Sequence, residues 1–304
     1  MLARASELRS GSRHDQLFKD LLRSFLADFV RLVAPGPAER LDLASATFLD
    51  KEAFTDWPRG RRRELDLLAC VPFLADPGSR ALIHVEIEAR ANPHLGLRQA
   101  GYYMQLRLRY GLPVLPIAVC LRRGRPGPEL VSVLDDQLGP ELGCFRYYSF
   151  GLASCKAEDY LGRPEPLAWA LAALMRPEGL SRAALKLACL RRISSASGTD
   201  LERFLLANCV QTYLQLSPEE ETELAVLQSR ELDREEAAMF LTWAEKMEMT
   251  AMRQVLCRQL AQKFGPLSED EVSRKLEAIS SFRKLERLVD KILVAKSLDE
   301  MGLG

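Results

Sequence analysis

The sequence predicts an α/β unit in its first half followed by an all-helical region. Helical and strand-like patterns alternate up to about residue 160, and beyond it every apolar pattern has the helical period. The 304 residues, 47% of them hydrophobic, are enough for a core of roughly 100–200 residues and a smaller second unit. A charged fraction of 28% with 18 Gly and 16 Pro excludes a disordered or collagen-like chain. The 42 basic residues balance 42 acidic ones, so little self-repulsion opposes self-association.

The elements follow in order. Residues 15–33 carry Leu17, Phe18, Leu21, Leu22, Phe25, Leu26, Phe29 and Val30 at the spacing of an amphipathic helix, closed by Pro35, Gly36 and Pro37. Strands are expected at 43–49, 64–72, 81–88, 114–121 and 129–134. A helix is expected at 94–110, closed by Gly111 and Pro113. Helices then occupy 165–176, 180–195, 199–214, 219–230, 234–264, 268–279 and 282–296. Ser217 and Ser268, each followed by acidic residues, read as N-caps.

No secretory apolar run or membrane-length stretch occurs, so a soluble cytoplasmic protein with no membrane partner is expected. The seven cysteines are scattered in apolar contexts without C-x-x-C spacing, which disfavours zinc ribbons and disulfide frameworks. P-loop, dinucleotide-binding and G-x-S-x-G patterns are missing. Charges segregate: residues 89–128 hold seven arginines and no acid, and 217–248 hold ten acids against three basic residues. The basic stretch reads either as a phosphate-facing surface or as a solvated helix face.

The sharpest chemical pattern is Ile83-His84-Val85-Glu86-Ile87-Glu88. On a strand, His84, Glu86 and Glu88 share one face, with next-but-one neighbours roughly 7 Å apart. Glu64 and Asp66 do the same upstream, and pairing of the two strands would bring Asp66 to Glu86. Converging carboxylates repel unless neutralised, and a hard divalent cation does that directly. The same alternation is also what any half-exposed strand shows. A zinc site at His84, Glu86 and Glu88 has no H-E-x-x-H pattern behind it; His84 is expected beside the site or at the surface.

Asp15-x-x-Phe18-Lys19-x-Leu21-Leu22, Glu64-Leu65-Asp66, Glu86-x-Glu88 and Arg98-x-x-x-Tyr102-Tyr103, in this order, resemble the PD-(D/E)XK nuclease superfamily. The run Tyr102–Ile117 is similar to the recombination-promoting nuclease/transposase (YhgA-like) branch. The segment 256–299, with Lys263-Phe264-Gly265-Pro266-Leu267-Ser268, resembles a small helical domain that often trails such proteins. The resemblance implies a restriction-endonuclease-like αβββαβ domain over 10–160, a helical region over 161–249 and a small helical domain over 250–304. It implies Mg²⁺-dependent DNA cleavage, with Mn²⁺ as an alternative ion, and a link to recombination of mobile elements. Asp66 and Glu86 would be metal ligands, Asp15 an auxiliary acid, and Lys19, Arg98, Gln99 and Tyr102 phosphate contacts. Glu88 stands where the superfamily usually has Lys. That leaves three options: a second metal, takeover by Arg98 or Lys19, or lost catalysis with a DNA-binding or protein-interaction role. The C-terminal helices offer an apolar face for core packing or for a homodimer.

Overall fold

A computed structural model of the chain describes residues 16–49, 53–56, 61–89, 92–122, 124–136, 139, 143–232, 234–264, 274–276, 279, 282–295 and 297–302. It is a mixed α/β structure with a six-stranded sheet and many helices. The chain divides into two compact units, one formed by 1–196 and 205–227, the other by 197–204 and 228–304.

The first unit opens on helix α1 (16–24) and α2 (Leu26–Val33), whose Phe18, Leu21, Leu22, Phe29 and Val30 are all fully buried. The expected strand at 43–49 is instead a single 3₁₀ turn, Leu43–Ser45, and a two-residue strand β1 (Thr47–Phe48). A separate hairpin, β2 (Ala53–Asp56) and β3 (Arg61–Glu64), leads to β4 (Leu67–Pro72) and β5 (Arg80–Glu88). Helix α4 (Leu95–Tyr110) crosses to β6 (Val114–Cys120), after a short α3 (Pro35–Ala38) earlier in the chain. Gly111 at φ 66° ends α4 in the left-handed conformation that spares a Cβ clash, and its N–H caps the Arg107 carbonyl. β7 (Glu129–Asp135) and β8 (Gly143–Gly151) complete the sheet, in spatial order β1-β4-β5-β6-β8-β7.

β4 and β5 are antiparallel, β5 and β6 parallel, β6 and β8 parallel, and β7 and β8 antiparallel. Strands that are central and parallel are covered on both faces. One face carries the fully buried Ile83, Val85, Ile117, Val119 and Phe150. The other packs Leu68, Cys70 and Leu82 against Tyr102 and Leu106 of α4.

Helices α5 (Ala157–Leu161), α6 (Pro166–Ala172), α7 (Arg182–Ser194) and α9 (Pro218–Glu231) follow, with α8 (Asp200–Tyr213) before α9. Ser217 caps α9 as expected. Its Oγ accepts from the Glu220 N–H at 3.3 Å while the Glu220 carboxylate accepts from the Ser217 N–H at 2.9 Å. Three α9 acids dock on α7: Glu220 on Arg182, Glu221 on Lys186 and Glu223 on the Ser181 hydroxyl. Ser268 lies outside the described residues.

The second unit contains α10 (Arg234–Phe264), α11 (Phe282–Val294) and α12 (Leu298–Met301). Its core holds Leu256, Leu260, Leu276, Leu285 and Ile292. The apolar face of α10 is thus used in packing within its own unit. Among the described residues no helix is long and apolar enough to cross a membrane.

Candidate active site

β4 and β5 set the site. Their register pairs Leu67 with Val85, so continuing it by one residue sets Asp66 opposite Glu86. Asp66 itself lies in a bend just before β4, not within a strand running from 64. The expected face shared by Glu64 and Asp66 is therefore replaced by a break in the chain path. That break lets the Asp66 carboxylate turn to β5, where Oδ2 accepts the Ile87 N–H at 2.8 Å. Oδ1 meets the Lys19 ammonium of α1 at 2.7 Å.

Burial and the neighbouring Glu86 charge push the Asp66 carboxyl above its usual range, against the lowering effect of Lys19 and the Ile87 N–H. Glu86 is buried, and its Oε1 lies 3.1 Å from His84 Nε2. With the carboxylate as acceptor, the imidazole pairs through an Nε2–H. His84 is 0% exposed, its Nδ1 has no partner, and its ring stands edge-on to Tyr102 with centroids 5.4 Å apart. A surface position for His84 is thus corrected: β5 is covered on both faces, and its polar row points into the α4 interface.

Glu88 is held by Arg98 of α4 in an ion pair. The Glu88 carboxylate is therefore matched by a cation from the next helix. Gln99 is fully buried and donates to the Ile117 carbonyl at 3.2 Å, and Tyr102 is buried against His84. Both stand behind the carboxylates, so the phosphate contacts expected of them do not fit their burial. Asp15 lies outside the described residues, as do Arg90 and Arg123 of the basic stretch. Arg109, Arg122 and Arg125 are exposed.

The structure brings together Lys19, Asp66, His84 and Glu86 from α1, the start of β4, and β5. Sequence reasoning placed Lys19 at the site, as a phosphate contact and a stand-in for the lysine absent at 88, and gave no sign of its contact with Asp66. Among the described residues no group of three or more His, Cys, Asp or Glu side chains is disposed to hold a metal. Mg²⁺ asks for less: one or two carboxylates, with waters and substrate phosphate completing its shell. Asp66 and Glu86, two hard oxygen donors whose mutual repulsion a cation would relieve, fit that demand.

No family model, curated protein or solved structure matches the chain.

Proposed function

We propose that the chain is a metal-dependent endonuclease that hydrolyses DNA phosphodiesters with little sequence preference, in the manner of the PD-(D/E)XK superfamily it resembles. The observation that carries this reading is the placement of Asp66 opposite Glu86 with the Lys19 ammonium 2.7 Å from Asp66. The succession of α1–α2, β1, β4, β5, α4 and β6, antiparallel and then parallel, supports a restriction-endonuclease-like core. The tie to recombination and mobile elements rests on the resemblance alone.

Asp66 and Glu86 would hold Mg²⁺ or Mn²⁺. When bound, the ion polarises the scissile phosphate and lowers the pKa of a coordinated water. Lys19 takes the place of the lysine missing at 88, lying where it can orient a water and offset negative charge on the phosphate. His84 fixes one oxygen of Glu86 and leaves the other for ligation. Arg98 neutralises Glu88 and keeps that third carboxylate from adding to the repulsion between the first two.

A second reading, a catalytically impaired DNA-binding or protein-interaction relative, has one observation in its favour. Each carboxylate already has a partner in the chain: Lys19 for Asp66, His84 for Glu86 and Arg98 for Glu88. Supercoiled plasmid incubated with the protein and Mg²⁺, Mn²⁺ or EDTA separates the two. Catalysis predicts metal-dependent nicking that Asp66→Ala lowers by at least about 10³-fold, the scale of a few kcal/mol of lost transition-state stabilisation. Salt-dependent DNA retention without nicking by either metal favours the second reading.

A further inference from the structure

The connection from β6 to β7, residues 121–128, reads Leu-Arg-Arg-Gly-Arg-Pro-Gly-Pro, with three arginines and no acid. It leaves β6 at the end of the sheet where β5 carries its carboxylates. Leu121 donates its N–H to the Glu88 carbonyl at 2.8 Å, and Arg122 donates to the Ala89 carbonyl at 3.0 Å. The basic loop therefore starts one strand spacing from Glu88, about 4.8 Å.

A surface loop is ordinarily the mobile part of a fold. This one is tied down. The Ser154 hydroxyl donates to the Gly124 carbonyl at 2.8 Å, and the Tyr160 hydroxyl and Cys155 thiol donate to the Gly127 carbonyl at 3.1 and 3.2 Å. Its backbone also lies against the end of β8, closer than side chains would permit. A Cβ on Gly127 would stand 2.5 Å from the Ser149 carbonyl oxygen, and one on Gly151 would be nearer still to that of Arg125. Core packing is not what this fixing serves, since no described residue of the loop is buried.

The loop also stands on the carboxylate side of the sheet. Glu86 and Glu88 pair in register with Ala118 and Cys120, so all four share the face that α4 covers. Tyr147 packs there with Leu95, Ala118 and Cys120. Burial raises the Tyr147 phenol, and Arg125 lies close enough to oppose that rise. Arg122 is exposed, and Arg125 is held only loosely by Glu129 at 3.5 Å, with its own side chain 74% exposed.

We infer that this loop is a preformed clamp for the phosphodiester backbone beside the scissile bond, with Arg122 and Arg125 as its phosphate contacts. The inference rests on the nuclease reading and deepens it. It moves the phosphate contacts from the buried Gln99 and Tyr102 to a solvent-facing segment. It also suits cleavage with little sequence preference, because an arginine on phosphate carries no base information. A loop already fixed loses less freedom when a strand docks on it than a mobile one would.

Binding of a short duplex of arbitrary sequence in EDTA, where nothing is cut, tests the clamp apart from catalysis. The slope of log K against log salt should shrink by about 0.9 for Arg122→Gln and likewise for Arg125→Gln, one phosphate contact each. Arg109→Gln is the control: that arginine is also exposed, but it lies in the last turn of α4, at the opposite end of the sheet. Its loss should leave the slope as it was. Tyr160→Phe keeps every charge and releases the Gly127 carbonyl, so binding should weaken about 2–10-fold at an unchanged slope, the worth of one hydrogen bond. Parent-like slopes in both loop variants, or an equal fall in Arg109→Gln, overturn the inference. An unchanged affinity in Tyr160→Phe overturns the preformed character of the loop. If the parent still nicks plasmid with metal in those cases, the proposed activity stands and only the clamp falls. A parent that nicks plasmid without salt-dependent binding also sinks the clamp alone, and one that neither nicks nor binds overturns both.

Discussion

The two units use their cations differently. At the sheet end of the first, Lys19 and Arg98 face carboxylates, Asp66 and Glu88. In the helical second unit, Arg253 donates to the Leu276 and Ile279 carbonyls at 3.1 and 2.8 Å, and Lys263 donates to the Ile292 carbonyl. A cation on the last carbonyls of a helix satisfies groups the helix cannot satisfy itself, and so belongs to the fold. A cation beside two converging carboxylates acts as a counter-ion, and another cation can replace it. The pairs between α7 and α9 are a third case, in which Lys186 is buried while its partner Glu221 stays 52% exposed.

Lys19→Met breaks this comparison most sharply. It leaves Asp66 facing Glu86 without its cation, and urea denaturation at neutral pH should show a loss of about 3–5 kcal/mol, the cost of unpairing a buried charge. Added Mg²⁺ should return part of it, about 2.7 kcal/mol at a hundredfold excess over its dissociation constant. The pH dependence has a definite sign. The folded protein holds the Asp66 proton more tightly than the unfolded chain does. The destabilising charge is therefore absent below the unfolded value of 3.8 and fully present once pH has risen through the raised folded value. The deficit of Lys19→Met should shrink on acidification.

Arg253→Ala should cost about 2–3 kcal/mol through two lost charge-assisted hydrogen bonds, and hydrogen exchange in 274–294 should report it with no response to Mg²⁺. His84→Phe keeps a ring against Tyr102 but removes the donor to Glu86, and Mn²⁺ titration should show affinity about 10–100-fold weaker. His84→Gln, which restores a donor, should recover most of it. Glu221→Ala should cost only about 1 kcal/mol, because the carboxylate is itself half in solvent although its partner Lys186 is buried.

Much of this was legible in the sequence. Period-2 spacing in 83–88 and apolar spacing in α1 and α4 located the elements, and the Asp66–Glu86 meeting follows from a register the hydrophobic pattern enforces. What was not legible depended on tertiary cover. Alternation reads as one wet face and one dry face, yet β5 lies between two strands with α4 over its polar row, so His84 is buried. The Lys19–Asp66 pair depends on where α1 packs, which no local pattern encodes. β8 was missed although Phe145, Tyr147 and Phe150 between Gly143 and Gly151 carry strand propensity. The bend falls on Asp66 itself, and one aspartate between Leu65 and Leu67 is too weak a turn signal to break a strand pattern.

The α7–α9 contact has a consequence for synthesis. Lys186 is buried, and its acid, Glu221, lies 35 residues further along the chain. At roughly 5–20 residues per second, a ribosome makes the lysine about 2–7 s before its partner exists. Lys186 therefore also leaves the ribosome those seconds ahead of Glu221, and the emerging α7 has a basic, unsealed flank until the acid follows it out. A chaperone or acidic surface encountered in that interval meets a different molecule from the finished one, and the speed at which these 35 residues emerge sets how long that molecule lasts.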